Sequence, residues 1–398
     1  MFKGFEFLIE KMFMLSGGVT SLTILLIVIF LFKEGAGLFS SPVVEEGYVL
    51  AVNRDNAVPN LDPQTIKEIF DAQITNWKQV GGADKEIIVF RLSDITSYFS
   101  EEEIGAEFEK LPSCISQVVA QNPGILAFFP KTYVDADFAG RIFENQTISF
   151  SDFCTGTEWY PTAQPTPLFG VLPLIMGTLW VSLAAILFAL PFGLAAAIYM
   201  AELAGERTRK ILKPLFELLA GIPSVVYGFF GLVVLVPLIQ KGFNLAVGET
   251  ALAGSIILAI MALPTIITIA EDAIRNVPRA TKEASLALGA THWQTIWRVI
   301  LPFSISGISA AVVLGIGRAI GETMAVLMVT GNSAIIPTTL LEPVRTIPAT
   351  IAAELGEAPN GGVHYEALFL LGCILFLITL IISISAEVIA NKRPKPSI

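Results

Sequence analysis

Six stretches of the chain run without charge for long enough to cross an apolar layer of about 30 Å. They cover Phe13–Phe32, Pro165–Ala201, Leu218–Gln240, Ala251–Ala270, Val299–Gly317 and Ala367–Ala386, and each predicts one transmembrane helix. The first could serve as a cleaved secretory signal, since Lys3 and Lys11 precede it. Its length, and the lack of a small-residue cleavage pattern after it, point to an anchor.

Between the first and second stretches the pattern changes to turn signals and mixed charge. Val49–Val52 reads as a short strand, and Asp62–Phe70 as a helix with Asp62 at its cap and Pro63 at its first position. Glu86–Phe90 reads as a buried strand after the Gly81-Gly82 turn, Glu101–Glu109 as a helix and Gly124–Phe129 as another strand. Strands alternating with helices predict an α/β lobe. The expected fold class is therefore an all-α polytopic membrane protein of six transmembrane helices, with an α/β extracytoplasmic insert domain between the first and second. Residues 1–40 form a cytosolic N-terminus and first helix, 41–166 the insert, 167–390 a core with five helices and 391–398 a cytosolic tail.

Composition agrees with a lipid-facing chain. Of 398 residues, 54% are hydrophobic and 15% charged, against about 25% charged in soluble proteins. Lys and Arg gather before the first span (Lys3, Lys11), between the second and third (Arg207, Arg209, Lys210, Lys213), between the fourth and fifth (Arg275, Arg279, Lys282, Arg298) and after the sixth (Lys392, Arg393, Lys395). The positive-inside rule puts both termini and both basic loops in the cytosol; Lys33 and Lys241 flank spans outside, a smaller set that does not overturn the bias. The formal charge of −10 is confined to the insert, where residues 42–166 hold 19 acidic and 8 basic side chains. Such acidity keeps an extracytoplasmic domain soluble, and no nucleic-acid partner is expected.

Inside the spans stand Pro191, Gly193, Pro223, Gly228, Gly231, Pro237 and Pro264. These are tolerated in a packed, kinked bundle whose neighbours satisfy the loosened backbone. Glu202, Glu217, Glu271 and Glu387 fall at helix ends, where an interfacial position is the simplest reading.

The cytosolic segment from Glu283 to Pro302 carries a pattern of its own. Glu283-Ala284-Ser285 is followed by Gly289 and then, nine residues on, by Val299-Ile300-Leu301-Pro302. An Ala- and Leu-rich helix interrupted by Gly289, then the amphipathic run Trp293–Arg298, predicts two short helices turning at the glycine. Such a knob can enter a groove on another protein and transmit a rigid-body push. These residues resemble the coupling loop of bacterial ABC importer permeases: Glu-Ala-Ala, three residues, Gly, nine residues, Ile, any residue, Leu-Pro. Ser285 and Val299 are mild departures. The resemblance implies the MetI-like permease fold, and a loop seated through Glu283, Ala284, Gly289, Leu301 and Pro302 in a separate ATPase. The chain has no Gly-x-x-x-x-Gly-Lys-Ser/Thr loop. No cofactor is therefore expected here, and ATP and magnesium belong on the partner ATPase.

The fifth span contains Gly315-Ile316-Gly317-Arg318-Ala319-Ile320-Gly321-Glu322-Thr323-Met324. An arginine well inside a membrane helix costs about 2.5 to 3.5 kcal/mol on insertion scales, so it should face a polar pathway or a partner. Glu322 lies one helical turn on and could hold the guanidinium. Either the two neutralise each other structurally, or Arg318 meets an anion in transit while Glu322 orients it, with Thr323 beside them. This run, with Gly221–Gly228 in the third span and the continuation to Gly331-Asn332, resembles the phosphate-specific ABC permeases, in particular the PstC-type subunit. That resemblance implies import of inorganic phosphate with a PstA-type permease subunit, a PstB-type ATPase dimer and an extracytoplasmic phosphate-binding protein.

The insert resembles one lobe of such phosphate-binding proteins, through Asn53–Asn56, Leu61–Phe70, Ile74–Gly82, Arg91 and Asn122–Phe128. In that family an arginine is followed by Ser-Gly-Thr at a helix start. Here Arg91 is followed by Ile95-Thr96-Ser97, so Arg91, Thr96 and Ser97 are the corresponding ligand candidates, with the glycine lost and the second lobe missing. Docking surface, lid and relic all remain open for the insert.

Cys114 and Cys154 fall in the insert, where an oxidising compartment would permit a disulfide; Cys373 falls in the last span. His292 and His364 lie on opposite sides of the membrane, so no metal site is expected, and nothing resembles a nucleophile with its base. Alternatives to phosphate import are a membrane phosphate receptor or signalling subunit, a permease for another oxyanion, and a passive channel, which the coupling loop argues against.

Overall fold

The computed structural model describes residues 2–391, apart from 43, 45, 46, 106, 107 and 144–146. Lys392, Arg393 and Lys395 lie outside the described residues. The chain divides into two compact units, one of Met1–Leu31, Leu172–Ala358 and Leu368–Ile398, the other of Phe32–Val171 with Pro359–Ala367.

Among the described residues six helices are long and apolar enough to cross a membrane: Glu10–Phe39, Leu172–Leu203, Ser224–Phe243, Ala251–Arg275, His292–Gly321 and Val363–Ser385, here spans 1 to 6. The second and third spans start well inside the stretches expected for them. The second span begins at Leu172, because Leu168–Phe169 pairs instead as a strand with Trp159–Tyr160. The third begins at Ser224, with Pro223 as its cap, and Leu218–Gly221 belongs to a separate helix, Glu206–Gly221. That helix has no buried residue. Its apolar and basic side chains fall on different sides, as in a helix lying along an interface.

Span 4 is the centre of the bundle. In its most apolar stretch 61% of residues are buried, against none in span 1. Close packing rests on small residues. A Cβ at Gly193 of span 2 would stand 2.9 Å from Ile266 of span 4, and one at Gly315 of span 5 would stand 3.0 Å from the same side chain. Ile266 thus fills the space that both glycines leave. Gly231 of span 3 makes room in the same way for Ile257 and Val329. Span 1 meets span 6 through an edge-on ring contact, Phe30 to Phe369, at 5.5 Å.

Among the described residues three π-helical turns, Tyr199–Leu203, Gly231–Leu235 and Ile296–Ile300, widen the helices. The last two run directly into Pro237 and Pro302. A proline lacks its N–H and collides with the preceding turn, and a wider turn relieves that collision.

The second unit is built on a four-stranded sheet of β1 (Tyr48–Asn53), β2 (Ile88–Arg91), β3 (Ile125–Pro130) and β4 (Gly140–Ile142), in the order β2-β3-β1-β4. β1 is antiparallel to β3 and β4, with Ala51 opposite Ala127, and β2 is parallel to β3. Helix Pro63–Phe70 covers one face, where Ile66, Ile69 and Trp77 pack on Leu50, Val52 and Leu126. Helix Leu111–Gln121 covers the other, where Ile115, Val118 and Val119 pack on Val49, Ala51 and Phe129. Covered on both faces, β1 and β3 are continuous apolar runs. Asp62 caps its helix by accepting from the Thr65 N–H at 2.9 Å. The expected Glu101–Glu109 helix is described only over Glu101–Ile104.

The two insert cysteines are not bonded, so the disulfide that an oxidising compartment would permit is not formed in this structure. Cys114 is buried with Ile104 and Ile115 under one face of the sheet. Cys154 belongs to a different helix, Phe150–Thr155, outside that cluster.

Candidate functional site

The Glu283–Pro302 segment forms the expected knob. Helix Arg279–Ala287 is followed by Gly289 at φ +86°, then by helix His292–Thr295 and the π-helical turn that continues into span 5. Nothing stands within 4 Å of a Cβ built at Gly289. The glycine is needed for its left-handed backbone, not for space. Thr291 opens the second short helix with a capping box: its hydroxyl accepts from the Gln294 N–H at 3.2 Å, and the Gln294 side-chain Oε1 accepts from the Thr291 N–H at 2.9 Å. Ser285, the departure from the family pattern, places its hydroxyl 3.0 Å from that of Thr295 and links the two helices.

One side of the knob is anchored. Ile296 and Ile300 are buried with Ala197 and Ile198 of span 2 and Ala270 and Ile274 of span 4, while Leu301 packs at the margin. The other side is bare. Leu288 is 90% exposed, Trp293 57% and Trp297 53%. The indoles meet edge to face at 5.8 Å. Glu283 and Ala284 are also exposed. Exposed apolar surface rimmed by polar side chains is typical of protein or membrane contacts.

Arg318 lies in the last turn of the helix that ends at Gly321, rather than well inside it. It is half-buried, and among the described residues its single hydrogen bond runs from Nη1 to Thr265 Oγ1 at 3.4 Å. Thr265 stands near the middle of span 4, so the guanidinium is at mid-span level.

The expected Arg318–Glu322 pair does not form. Glu322 has left the helix, with φ −73° and ψ 131°, so the geometry that stacks residues four apart is lost. Its carboxylate instead accepts from the Thr323 N–H at 3.2 Å. Thr323 donates to the Gly321 carbonyl at 3.3 Å and lines a cavity of about 490 Å³ with Pro348, Ile351, Leu355 and Leu375. Beyond the break, Met324–Val329 packs on span 3, where a Cβ at Gly228 would stand 2.8 Å from Met328 Sδ and 3.0 Å from Ala325 Cα. The two runs that carry the family resemblance therefore touch. Thr265, which sequence reasoning missed, carries no motif signal beyond its place beside Pro264.

In the second unit Arg91, Thr96 and Ser97 are exposed and do not converge. The Arg91 guanidinium lies 5.3 Å from the Phe70 ring centroid and lines a cavity with Tyr48, Phe128 and Pro165. Thr96 and Ser97 sit on the turn Leu92–Ser97, whose Ile95 points into the core under the other face of the sheet.

Glu271 is not interfacial but 1% exposed, held by Arg209 at 3.1 Å. His292 starts the second short helix of the knob, and His364 lies 6.3 Å, centroid to centroid, from Phe169 in the second unit. Among the described residues no group of three or more His, Cys, Asp or Glu could hold a metal ion.

A bundle of several apolar helices fits a multi-pass membrane component, and the comparisons give its family. Residues 189–393 match the family of binding-protein-dependent transport system inner membrane components, and the chain belongs to that family. Residues 30–137 match a PBP superfamily domain. The chain is 40% identical over 246 residues to the probable ABC transporter permease protein YqgH of Bacillus subtilis, covering 62% of this chain and 79% of that one. It is also 40% identical over 264 residues to the phosphate transport system permease protein PstC of Mesorhizobium japonicum, with the same coverages. To PstC 1 of Mycobacterium tuberculosis it is 35% identical over 270 residues, covering 59% and 80%.

Proposed function

We propose that this chain is the PstC-type permease subunit of an ATP-driven importer of inorganic phosphate. The observation that carries the cargo is Arg318: a half-buried cation at mid-span level, with one long hydrogen bond and no carboxylate partner among the described residues. Leaving a guanidinium so poorly satisfied in a membrane bundle is costly. An oxyanion passing it would take up donors whose planar fork matches phosphate oxygens. Relatives named as phosphate permeases support the same reading.

The knob is the seat for a PstB-type ATPase dimer, which holds the ATP and magnesium. A PstA-type subunit completes the pathway, and an extracytoplasmic phosphate-binding protein delivers the anion. Both termini are cytosolic. ATP binding closes the ATPase pair, draws the knobs together and opens the pathway outward. The insert, with Arg91, Thr96 and Ser97 apart, serves as a docking surface or lid rather than as a phosphate cleft.

The test is uptake of labelled phosphate into proteoliposomes holding the permease pair, the ATPase and the binding protein. ATP-dependent uptake, undiminished by tenfold excess sulfate or molybdate, is expected. Uptake that proceeds equally without ATP, or that prefers sulfate, would refute the reading.

A further inference from the structure

The knob must pass its movement to the spans, and two part-buried electrostatic contacts stand where it meets them. Lys282, one residue before the exposed Glu283, turns inward and donates to Glu202 Oε1 at the cytosolic end of span 2. Their side chains are only 20% and 8% exposed. Neither has another charged partner among the described residues. The second contact is Glu271, on the last turns of span 4. Arg209 of helix Glu206–Gly221 donates to its Oε1 from Nε at 3.2 Å, and Arg209 Nη2 also donates to the Met200 carbonyl of span 2 at 2.7 Å. Lys213 and Arg275 approach the same carboxylate at 3.9 and 3.7 Å.

We infer that Lys282 and Glu202 form a clasp that positions the knob on span 2, so that a push from the ATPase moves spans 2 and 4 with it as one body. This rests on the ATP-driven import reading above. An ion pair largely shielded from water resists separation, because removing either partner strands an unpaired charge. The pair is therefore a rigid joint, where two exposed charges would slip. Met200 and Glu202 share the π-helical turn Tyr199–Leu203, so Arg209 and Lys282 grip the same turn from the two basic loops. Span 4 is joined through Arg209 and Glu271. Span 4 also carries Thr265, the one hydrogen-bond partner of Arg318 among the described residues. Motion of the clasped spans thereby reaches the guanidinium from the side of span 4, as well as along span 5. Glu202 and Lys282 are positioning residues that touch no cargo.

The test uses the complete transporter in proteoliposomes, reading phosphate carried per ATP hydrolysed, with assembly followed by co-purification of the ATPase. Glu202→Gln and Lys282→Gln should each lower that ratio at least fivefold while ATP hydrolysis stays within twofold of wild type. The exchanged variant, Glu202→Lys with Lys282→Glu, should restore the ratio to within twofold. Single variants that keep the wild-type ratio would overturn the clasp. So would an exchanged variant that assembles but stays as poorly coupled as the single ones, which would assign Lys282 to direct contact with the ATPase. If the single variants fail to assemble, Glu202→Cys with Lys282→Cys, joined by a short bis-maleimide in a background without the native cysteines, should still transport. Transport that stops on cross-linking would mean that the pair must open, and would overturn a rigid joint. A wild-type complex that hydrolyses ATP without carrying phosphate would count against the cargo reading and not against the clasp.

Discussion

Arg318 sits where a helix stops, and that placement decides which neighbours can hold it. Residues four apart face each other only while the helix continues; it ends at Gly321, and Glu322 turns away. Glu322→Gln should accordingly leave phosphate uptake within about threefold of wild type, whereas a true ion pair would make the two substitutions equivalent. Arg318→Lys should recover only a minor fraction of uptake, because an ammonium is a point charge without the planar fork. The insert thiols offer a second check at this scale. Burial, aided by repulsion from Glu103, pushes the Cys114 thiol up, and burial does the same for Cys154. A raised pKa leaves less thiolate at a given pH. Alkylation of the native protein at pH 8 should be slower at both than at an exposed thiol, and complete after unfolding without reductant. A requirement for reductant would mean a disulfide.

Elements were legible from sequence where a period or a turn residue governed them. The knob could be read because Gly289 marks a left-handed turn and Trp293–Arg298 an amphipathic helix. Gly289→Ala should strain that turn by about 1–2 kcal/mol, read as a several-fold loss of co-purifying ATPase at limiting ATPase concentration. Unchanged binding would mean that the knob tolerates another turn. Helix Glu206–Gly221 was hidden because its apolar residues merge with the start of the third span at Leu218. Helix Leu111–Gln121 shows a helical spacing in Leu111, Cys114, Ile115, Val118 and Val119, but Pro112 and the short run masked it. No sequence pattern distinguishes Glu271 as buried, since its partner Arg209 lies 62 positions away. Gly228→Val would press on Met328 and the Ala325 backbone. Overpacking of this kind costs about 1–3 kcal/mol, and the purified complex should unfold at a lower temperature; an unchanged midpoint would show that the short helix can shift.

For the whole molecule, the hydropathy pattern set the six spans and the insert between them, while the joints had to be seen in three dimensions. The acidic charge of the insert belongs to a separately cored sheet domain, and its family likeness survives without an assembled anion grip. Removing residues 45–160 should therefore weaken uptake at limiting phosphate more than at saturating phosphate. Equal uptake at both would leave the insert as a relic.

In the proposed function, force enters at the Gly289 knob and is used at Arg318. The most direct measurement is phosphate uptake by the assembled transporter carrying Arg318→Gln, alongside its ATP hydrolysis. We expect a complex of normal composition that still hydrolyses ATP and takes up less than about one hundredth of the wild-type phosphate, as loss of a charge-assisted hydrogen-bonding group in a desolvated site implies. Wild-type uptake by that variant would contradict the account.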